Sequence, residues 1–367
     1  MRKKTQLMIL LSLVMLLLTA CSTQPQTQDE SQTRMVTDVW GRQVEIPLHV
    51  QRIITLGPGA TRIAVYLDVT DKIIAAEQQT ANENILMDFS PIVYERFRDL
   101  PIVGRGGGSG ENNAYPEEII LHAPDVILAA FSPEAAEQLQ TQTGIPVVAV
   151  RYTSTGLANE TFFAAVRVFA EVTHRAQRAE ALLQQIEAFR VDLAQRTADV
   201  SPEQRLRAYA GAITFSGQRG FGGTYSNFGP LTAIGAWNVA DTALESGFYE
   251  VDFEQIIAWD PDVIFLDPGN MHLVHTEYLA NPTFFHALRA VQQGRIYTLP
   301  AFNFSATNVT YALINAYFAG TILFPEQFAD VDIAEKAEEI LQFFLGTNTF
   351  ALMEAAGLFY GNISLGE

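Results

Sequence analysis

Glu117-Glu118-Ile119-Ile120-Leu121-His122-Ala123-Pro124-Asp125-Val126-Ile127 returns 137 positions later as Glu254-Gln255-Ile256-Ile257-Ala258-Trp259-Asp260-Pro261-Asp262-Val263-Ile264. Each copy reads as a short helix, a Pro-Asp turn and the start of an apolar strand. Acids in the first turn suit the unsatisfied N–H groups and the positive end of the helix dipole there. Pro-Asp-Val-Ile alone is a common helix-to-strand turn. The Glu-x-Ile at the same distance upstream in both copies argues for a duplicated unit, and hence for two related lobes.

Outward from the repeat, short apolar runs alternate with helix signals. The runs are Arg52–Leu56, Ile73–Ala76, Val126–Ala130, Val147–Val150, Ala208–Ile213, Val263–Leu266 and Ile296–Leu299. Continuous apolar strands of this length suit sheets covered on both faces, as parallel sheets are. Pro116, Pro133, Pro230 and Pro282 stand where a helix would begin, a position that tolerates the missing N–H. Between the copies, Phe162, Phe163, Val166 and Phe169, then Ala176, Ala179, Leu182, Leu183, Ile186, Phe189 and Leu193, keep helical spacing. Ala176 to Thr197 alone would span about 33 Å, roughly one lobe. The expected fold is therefore α/β: two Rossmann-like lobes with mostly parallel sheets joined by a long rigid α-helix. The expected divisions are 1–20, 21–34, an N-terminal lobe over 35–156, an interlobe helix over 157–200 and a C-terminal lobe over 201–367.

Composition narrows the class. The 367 residues are 48% hydrophobic and carry 23 Lys+Arg against 41 Asp+Glu, a formal charge of −18. That excess of acid argues against a phosphate-backbone partner, which needs Lys and Arg to displace counterions. A single cysteine excludes a disulfide framework and any multi-thiolate metal centre. Arg2, Lys3 and Lys4 precede the apolar run Leu7–Leu18, the pattern of a secretory signal peptide. Leu18-Thr19-Ala20-Cys21 resembles the bacterial lipobox, whose cysteine becomes the lipidated first residue of the mature protein. The resemblance implies a signal peptide over 1–20, lipidation at Cys21 and an extracytoplasmic, membrane-anchored product of charge −21 once the three leading cations are gone. The Gln/Ser/Thr-rich residues 22–34 then read as a tether.

Together these features resemble the solute-binding lipoproteins of ABC importers with a helical interlobe backbone, the group that takes up ferric siderophores, haem and cobalamin. The entry Val36-Thr37-Asp38-Val39-Trp40-Gly41-Arg42-Gln43-Val44-Glu45-Ile46-Pro47 is similar to that family's opening hairpin, and Gln51-Arg52-Ile53-Ile54-Thr55-Leu56 follows it. Glu-x-Ile-x(4)-Pro-Asp-Val-Ile occurs once per lobe, as in the family. Asn308 through Ala316-Tyr317-Phe318-Ala319-Gly320 to Leu323-Phe324-Pro325-Glu326 is similar to the iron-complex branch. The resemblance implies a monomer that delivers a small-molecule metal chelate to an ABC permease dimer with its ATPase and holds no cofactor of its own. A ferric chelate leads; cobalamin, haem or a molybdate-like oxyanion are the alternatives. It also implies that Glu117 and Glu254 dock into an arginine pocket on each half of the permease, with Glu118 as a rival. The local reading of both acids is that they complement a helix dipole, and a solvent-facing helix start can do both.

Ligand candidates come from four segments expected between the lobes, outside the carboxyl ends of the strands. They are Leu56–Arg62, Gly104–Gly110, Ser216–Tyr225 and Ala301–Phe304. Arg62, Arg105 and Arg219 would pair with anionic oxygens of a ligand. Tyr152, Phe221, Tyr225 and Phe304 would supply walls with polar tips, and Asn303 a further polar group. Glycine-rich surface turns carrying solvated arginines are the alternative for the second and third segments. His272 and His275 are three residues apart and could share a helix face, but no third ligand stands at metal spacing, so no metal site is expected. The sequence has no Gly-x-Ser-x-Gly elbow and no His-Glu-x-x-His, so an extracytoplasmic metal-cofactor enzyme is the weaker reading.

Overall fold

The computed structural model describes residues 32–107, 113–152, 156–242 and 247–366. The expected signal peptide, Cys21, most of the tether and the end of the Gly104–Gly110 run lie outside these residues.

The first lobe opens with an antiparallel hairpin, β1 (Thr33–Thr37) and β2 (Gln43–Pro47). Its turn is organised by Asp38, whose carboxylate accepts from the backbone N–H of Trp40 and Arg42 at 3.0 and 2.9 Å. Five parallel strands follow: β3 (Ile53–Leu56), β4 (Ile73–Glu77), β5 (Ile102–Gly104), β6 (Val126–Ala129) and β7 (Val147–Ala149), in spatial order β5-β4-β3-β6-β7. The second lobe carries β8 (Arg207–Gly211), β9 (Gly223–Ser226), β10 (Trp237–Asn238), β11 (Gly247–Glu250), β12 (Val263–Leu266) and β13 (Ile296–Thr298). Four of these make a parallel sheet in the order β10-β8-β12-β13, while β9 and β11 form an antiparallel ribbon. All seven apolar runs read from the sequence are strands. The short β5 and β10 escape such a reading because three and two residues carry no period.

Strand alternation divides each sheet between two cores. Ile53, Leu128, Ala208 and Phe265 face one continuous apolar core that runs from Val36 to Leu358 through both lobes. Their neighbours Ile54 and Ile127 face a core private to the first lobe. Tyr209 and Ile264 face one private to the second. Fully burying each of the larger side chains, Ile53, Leu128 and Phe265, contributes roughly 1.5–3 kcal/mol, so the shared core joins the lobes strongly.

The two copies of the sequence repeat are two copies in space. Helices Pro116–His122 and Phe253–Trp259 end at Ala123 and Asp260, both left-handed at φ 43° and 38°. In each copy the Pro-Asp aspartate reaches back to the first strand of its sheet. Asp125 Oδ2 accepts from Arg52 N at 2.8 Å, and Asp262 Oδ2 accepts from Arg207 N at 2.9 Å.

The connection between the lobes differs from the expected single helix over 157–200. It is two helices, Glu160–Thr173 and Ala176–Arg196, broken at His174, which takes a left-handed φ of 58° and caps the first. Heptad-like spacing on both sides of the break disguises it in the sequence. The second helix, at 21 residues, is the strut. The expected C-terminal lobe, 201–367, also reaches across to the first. Helix Ile333–Leu345 packs back onto helix Ala60–Tyr66 of the first lobe, with the Tyr66 and Phe344 rings 5.1 Å apart. Arg178 of the strut fastens the junction, donating to Tyr66 O at 2.9 Å and Phe343 O at 2.6 Å.

Candidate functional site

In each sheet the chain leaves the first strand in one direction and returns on the other side, which opens a crevice at the carboxyl ends of the strands. That reversal lies between β3 and β6 in the first sheet and between β8 and β12 in the second. A cavity of about 780 Å³ occupies the seam where these edges meet. The first lobe lines it with Pro58, Gln79, Leu86, Ala130, Arg151 and Tyr152. The second lobe contributes Thr214 to Gln218, Asp267, Gly269, Asn270 and Asn303 to Ala306.

The turn after β3 depends on glycine. Gly59 has φ +85°, and a Cβ there would stand 2.5 Å from the Tyr152 hydroxyl. The bare backbone lets Tyr152 close the floor of the cavity. Behind the same turn, Glu77 at the end of β4 is 2% exposed and accepts from Gly57 N at 3.0 Å. Burial pushes its carboxyl up to about 7, a rise the Gly57 N–H partly opposes. Across the seam Asp267 follows β12 and is 1% exposed. Its carboxylate accepts from Thr214 Oγ1 at 2.5 Å and Gly269 N at 3.0 Å, tying two loops of the wall together. Burial raises it to about 6 against those hydrogen bonds. Asn270 donates to Ala212 O at 2.7 Å and Thr214 Oγ1 at 2.9 Å, which fixes its amide in the wall.

Of the ligand candidates, Tyr152, Asn303 and Phe304 line the cavity. Arg62 does not. It is fully buried beneath the floor, with Asp88 at 2.7 Å, because the helix that bears it packs inward. Arg219 is turned away behind the wall. Its Nε donates to Phe215 O at 3.0 Å, its guanidinium lies 5.0 Å over Phe248, and Glu250 is 3.5 Å off. Phe221 belongs to the private core of the second lobe, edge-on to Phe285 at 4.9 Å, and Tyr225 packs behind Phe215 at 6.0 Å. Arg105 is exposed and does not line the cavity; its carbonyl accepts from Gln79 N at 3.0 Å.

His272 and His275 do share a helix, Met271–Ala280, yet they border a separate hollow with Ser364 to Gly366. Among the described residues no three His, Cys, Asp or Glu side chains group as metal ligands. Glu117 and Glu254 are exposed in the first turns of their helices. Each helix runs back along the sheet it feeds, so its start lies at the carboxyl edge, the edge that carries the cavity. Arg151, Gln79, Thr214, Asp267 and Asn270 were not singled out from the sequence, whereas Gln218 lies in the expected segment Ser216–Tyr225. Arg151 and Asp267 each come shortly after a strand, β7 and β12, and that position was the available signal.

Comparison with known proteins is decisive for the family. Residues 53–302 match the family model described as periplasmic binding protein. The chain belongs to the periplasmic binding protein family. As such it is an extracytoplasmic solute-binding protein of an ABC transporter, not an enzyme, and carries no intrinsic cofactor. This periplasmic binding protein is 24% identical over 361 residues to the molybdate-binding protein MolA of Haemophilus influenzae, covering 90% of this chain and 96% of MolA. The solved structure of MolA bound to molybdate has a TM-score of 0.65 at 23% identity, covering 86% of this chain and 98% of that one. A periplasmic solute-binding protein of Veillonella parvula gives 0.66 at 21% identity, covering 86% and 94%. Helicobacter pylori CeuE with Ni(II) bound gives 0.60 at 18% identity, covering 86% and 97%. These likenesses establish the two-lobed fold.

Proposed function

We propose that this binding protein captures an organic metal chelate, of the ferric siderophore class, in the seam cavity and hands it to an ABC permease. The carrying observation is size. The cavity measures about 780 Å³, within the roughly 300–1,000 Å³ that enclose drug-sized ligands. A tetrahedral oxyanion needs only the space of a few waters, each about 30 Å³ of liquid. Phe215, Phe304, Tyr152 and Leu86 give apolar wall for a chelate's organic shell, and Arg151 supplies a cation for its anionic oxygens. Haem and cobalamin belong to the same role and to comparable or larger sizes.

A bare molybdate-like oxyanion is the second reading, favoured by the relationship to MolA. Arg151 and the N–H groups of the Ser216–Gly217 turn would be its partners. Against it stands Asp267, a buried carboxylate in the same wall.

In this account Glu117 and Glu254 meet a two-fold symmetric permease, where repeated acids fix register and steer encounter. Lipidation at Cys21 ties the protein to the membrane, and the iron-complex branch is its place within the family. Native mass spectrometry of protein from its own source, followed by titration with a ferric tri-catecholate and with molybdate, tests the reading. A one-to-one complex with a chelate-sized mass and no response to molybdate is expected. Saturable molybdate binding without chelate binding transfers the assignment to the oxyanion.

A further inference from the structure

Arg62 is the only cation among the buried side chains of the described residues. It stands on the first lobe, on helix Ala60–Tyr66, and all five of its N–H donors are used. Nε meets Asp88 Oδ1 at 2.7 Å. One terminal nitrogen donates to the Tyr152 hydroxyl at 3.2 Å and to Ser305 O at 2.7 Å. The other donates to Phe304 O at 3.1 Å and to Asn308 Oδ1. Asp88 is held in turn by the hydroxyls of Tyr66 and of Thr310, the latter at 2.8 Å. The knot therefore begins in one lobe and ends on the backbone of the other.

The backbone it ends on is unusual. Ser305 and Ala306 are consecutive non-glycine residues in the left-handed region, at φ 51° and 64°, and both line the cavity. Residues with a side chain rarely adopt that conformation, and it persists where surrounding contacts over-determine it. The fork of Arg62 grips the two carbonyls immediately at this bend.

We propose that Arg62 is a positioning residue for solute capture: it reaches from the first lobe to hold Phe304–Ala306 of the second in the bent shape that forms one wall of the cavity. The wall then exists only while the lobes are in register. This rests on the seam cavity being the solute site, but the conformational half of the claim needs no solute. The planar fork is essential, because a lysine keeps the charge beside Asp88 and cannot span two carbonyls and a hydroxyl together.

The test is amide hydrogen exchange on the solute-free R62K protein, paired with titration by a ferric tri-catecholate probe. Residues 303–308 should exchange at least about tenfold faster while β8 and β12 keep wild-type protection, the signature of a local opening. Unchanged exchange at 303–308, or an increase spread evenly over both sheets, overturns the proposal. If R62K does not fold, R62M/D88N removes both charges together and leaves none buried and unpaired. The same local pattern is expected of it, and the same two outcomes overturn the idea. R62K is expected to bind the chelate more weakly than wild type; a wall that loosens in R62K while the wild-type protein binds neither chelate nor molybdate supports the positioning role and refutes the solute assignment.

Discussion

Arg52, just before β3, and Arg207, the first residue of β8, do the same things. Each exchanges two backbone-level bonds with its Pro-Asp aspartate: Asp125 N to Arg52 O and Asp262 N to Arg207 O are both 2.8 Å. Each guanidinium also caps the end of the repeat helix, Arg52 on His122 O at 2.7 Å and Arg207 on Trp259 O at 3.0 Å. At the opposite edge the likeness ends. The first lobe builds a Gly57-Pro58-Gly59 turn braced from behind by Glu77, whereas the second ties Thr214 and Gly269 to Asp267. The amino edges hold the fold and can stay alike. The carboxyl edges face the solute, and each lobe supplies different chemistry there.

The largest effect that can break this comparison concerns the acids the lobes do share. Glu117→Ala/Glu254→Ala is expected to abolish solute uptake in a transport assay while solute affinity, by titration, stays within about twofold, since surface charges steer docking more than they build the pocket. Each single change should weaken uptake to a similar degree. Lost affinity with intact uptake would remove the docking role, and a strong effect from one lobe only would break the two-fold argument.

The buried acids of the carboxyl edges come next. Glu77 and Asp267 are raised to about 7 and about 6 by burial. The native state therefore binds more protons than the unfolded chain between the ordinary carboxyl range and those values, and stability falls as pH rises through that window. Each unit is worth about 1.4 kcal/mol, so each charge costs on the order of 3 kcal/mol by pH 8. Glu77→Gln and Asp267→Asn should each be progressively more stable than wild type between pH 5 and pH 8 in thermal melts. A stability difference that narrows with rising pH would contradict the sign.

The smallest effect separates the two copies of the repeat. Partial burial pushes the Asp262 carboxyl up, but the Arg207 N–H, then the Arg207 guanidinium at 3.4 Å and Arg289 at 3.3 Å, hold it below its usual range. Asp125 instead serves the N–H groups of Gln51 and Arg52. Asp262→Ala should cost about 2 kcal/mol in urea unfolding and Asp125→Ala about 1 kcal/mol, the scale of hydrogen bonds with and without charged partners. Equal losses would mean that the arginine contacts contribute nothing.

How much of this was readable depended on which edge was read. The apolar runs Val126–Ala130 and Val263–Leu266, and the repeat that feeds them, follow from period and turn chemistry, and they fixed the two sheets. Among the candidates for the site, Tyr152, Asn303 and Phe304 reach the cavity because they stand just beyond strands or in the segment after β13. The arginines misled. A guanidinium in a glycine-rich run reads as solute-facing, yet Arg219 stacks on Phe248, a residue of the neighbouring ribbon strand β11. Arg62 sits on a helix whose inward face becomes apparent only when Asp88 and Asn308, 26 and 246 positions away, arrive beside it. The break at His174 was hidden for the same reason: local spacing continued while the backbone turned.

The central claim is that the seam between the carboxyl edges is where the solute lies. A crystal structure of the protein with its co-purified solute tests this most directly. The account predicts density for a chelate-sized molecule against Tyr152, Phe304 and Arg151, touching both lobes. Solute bound elsewhere on the protein, or held by one lobe with the seam filled by water, would contradict it.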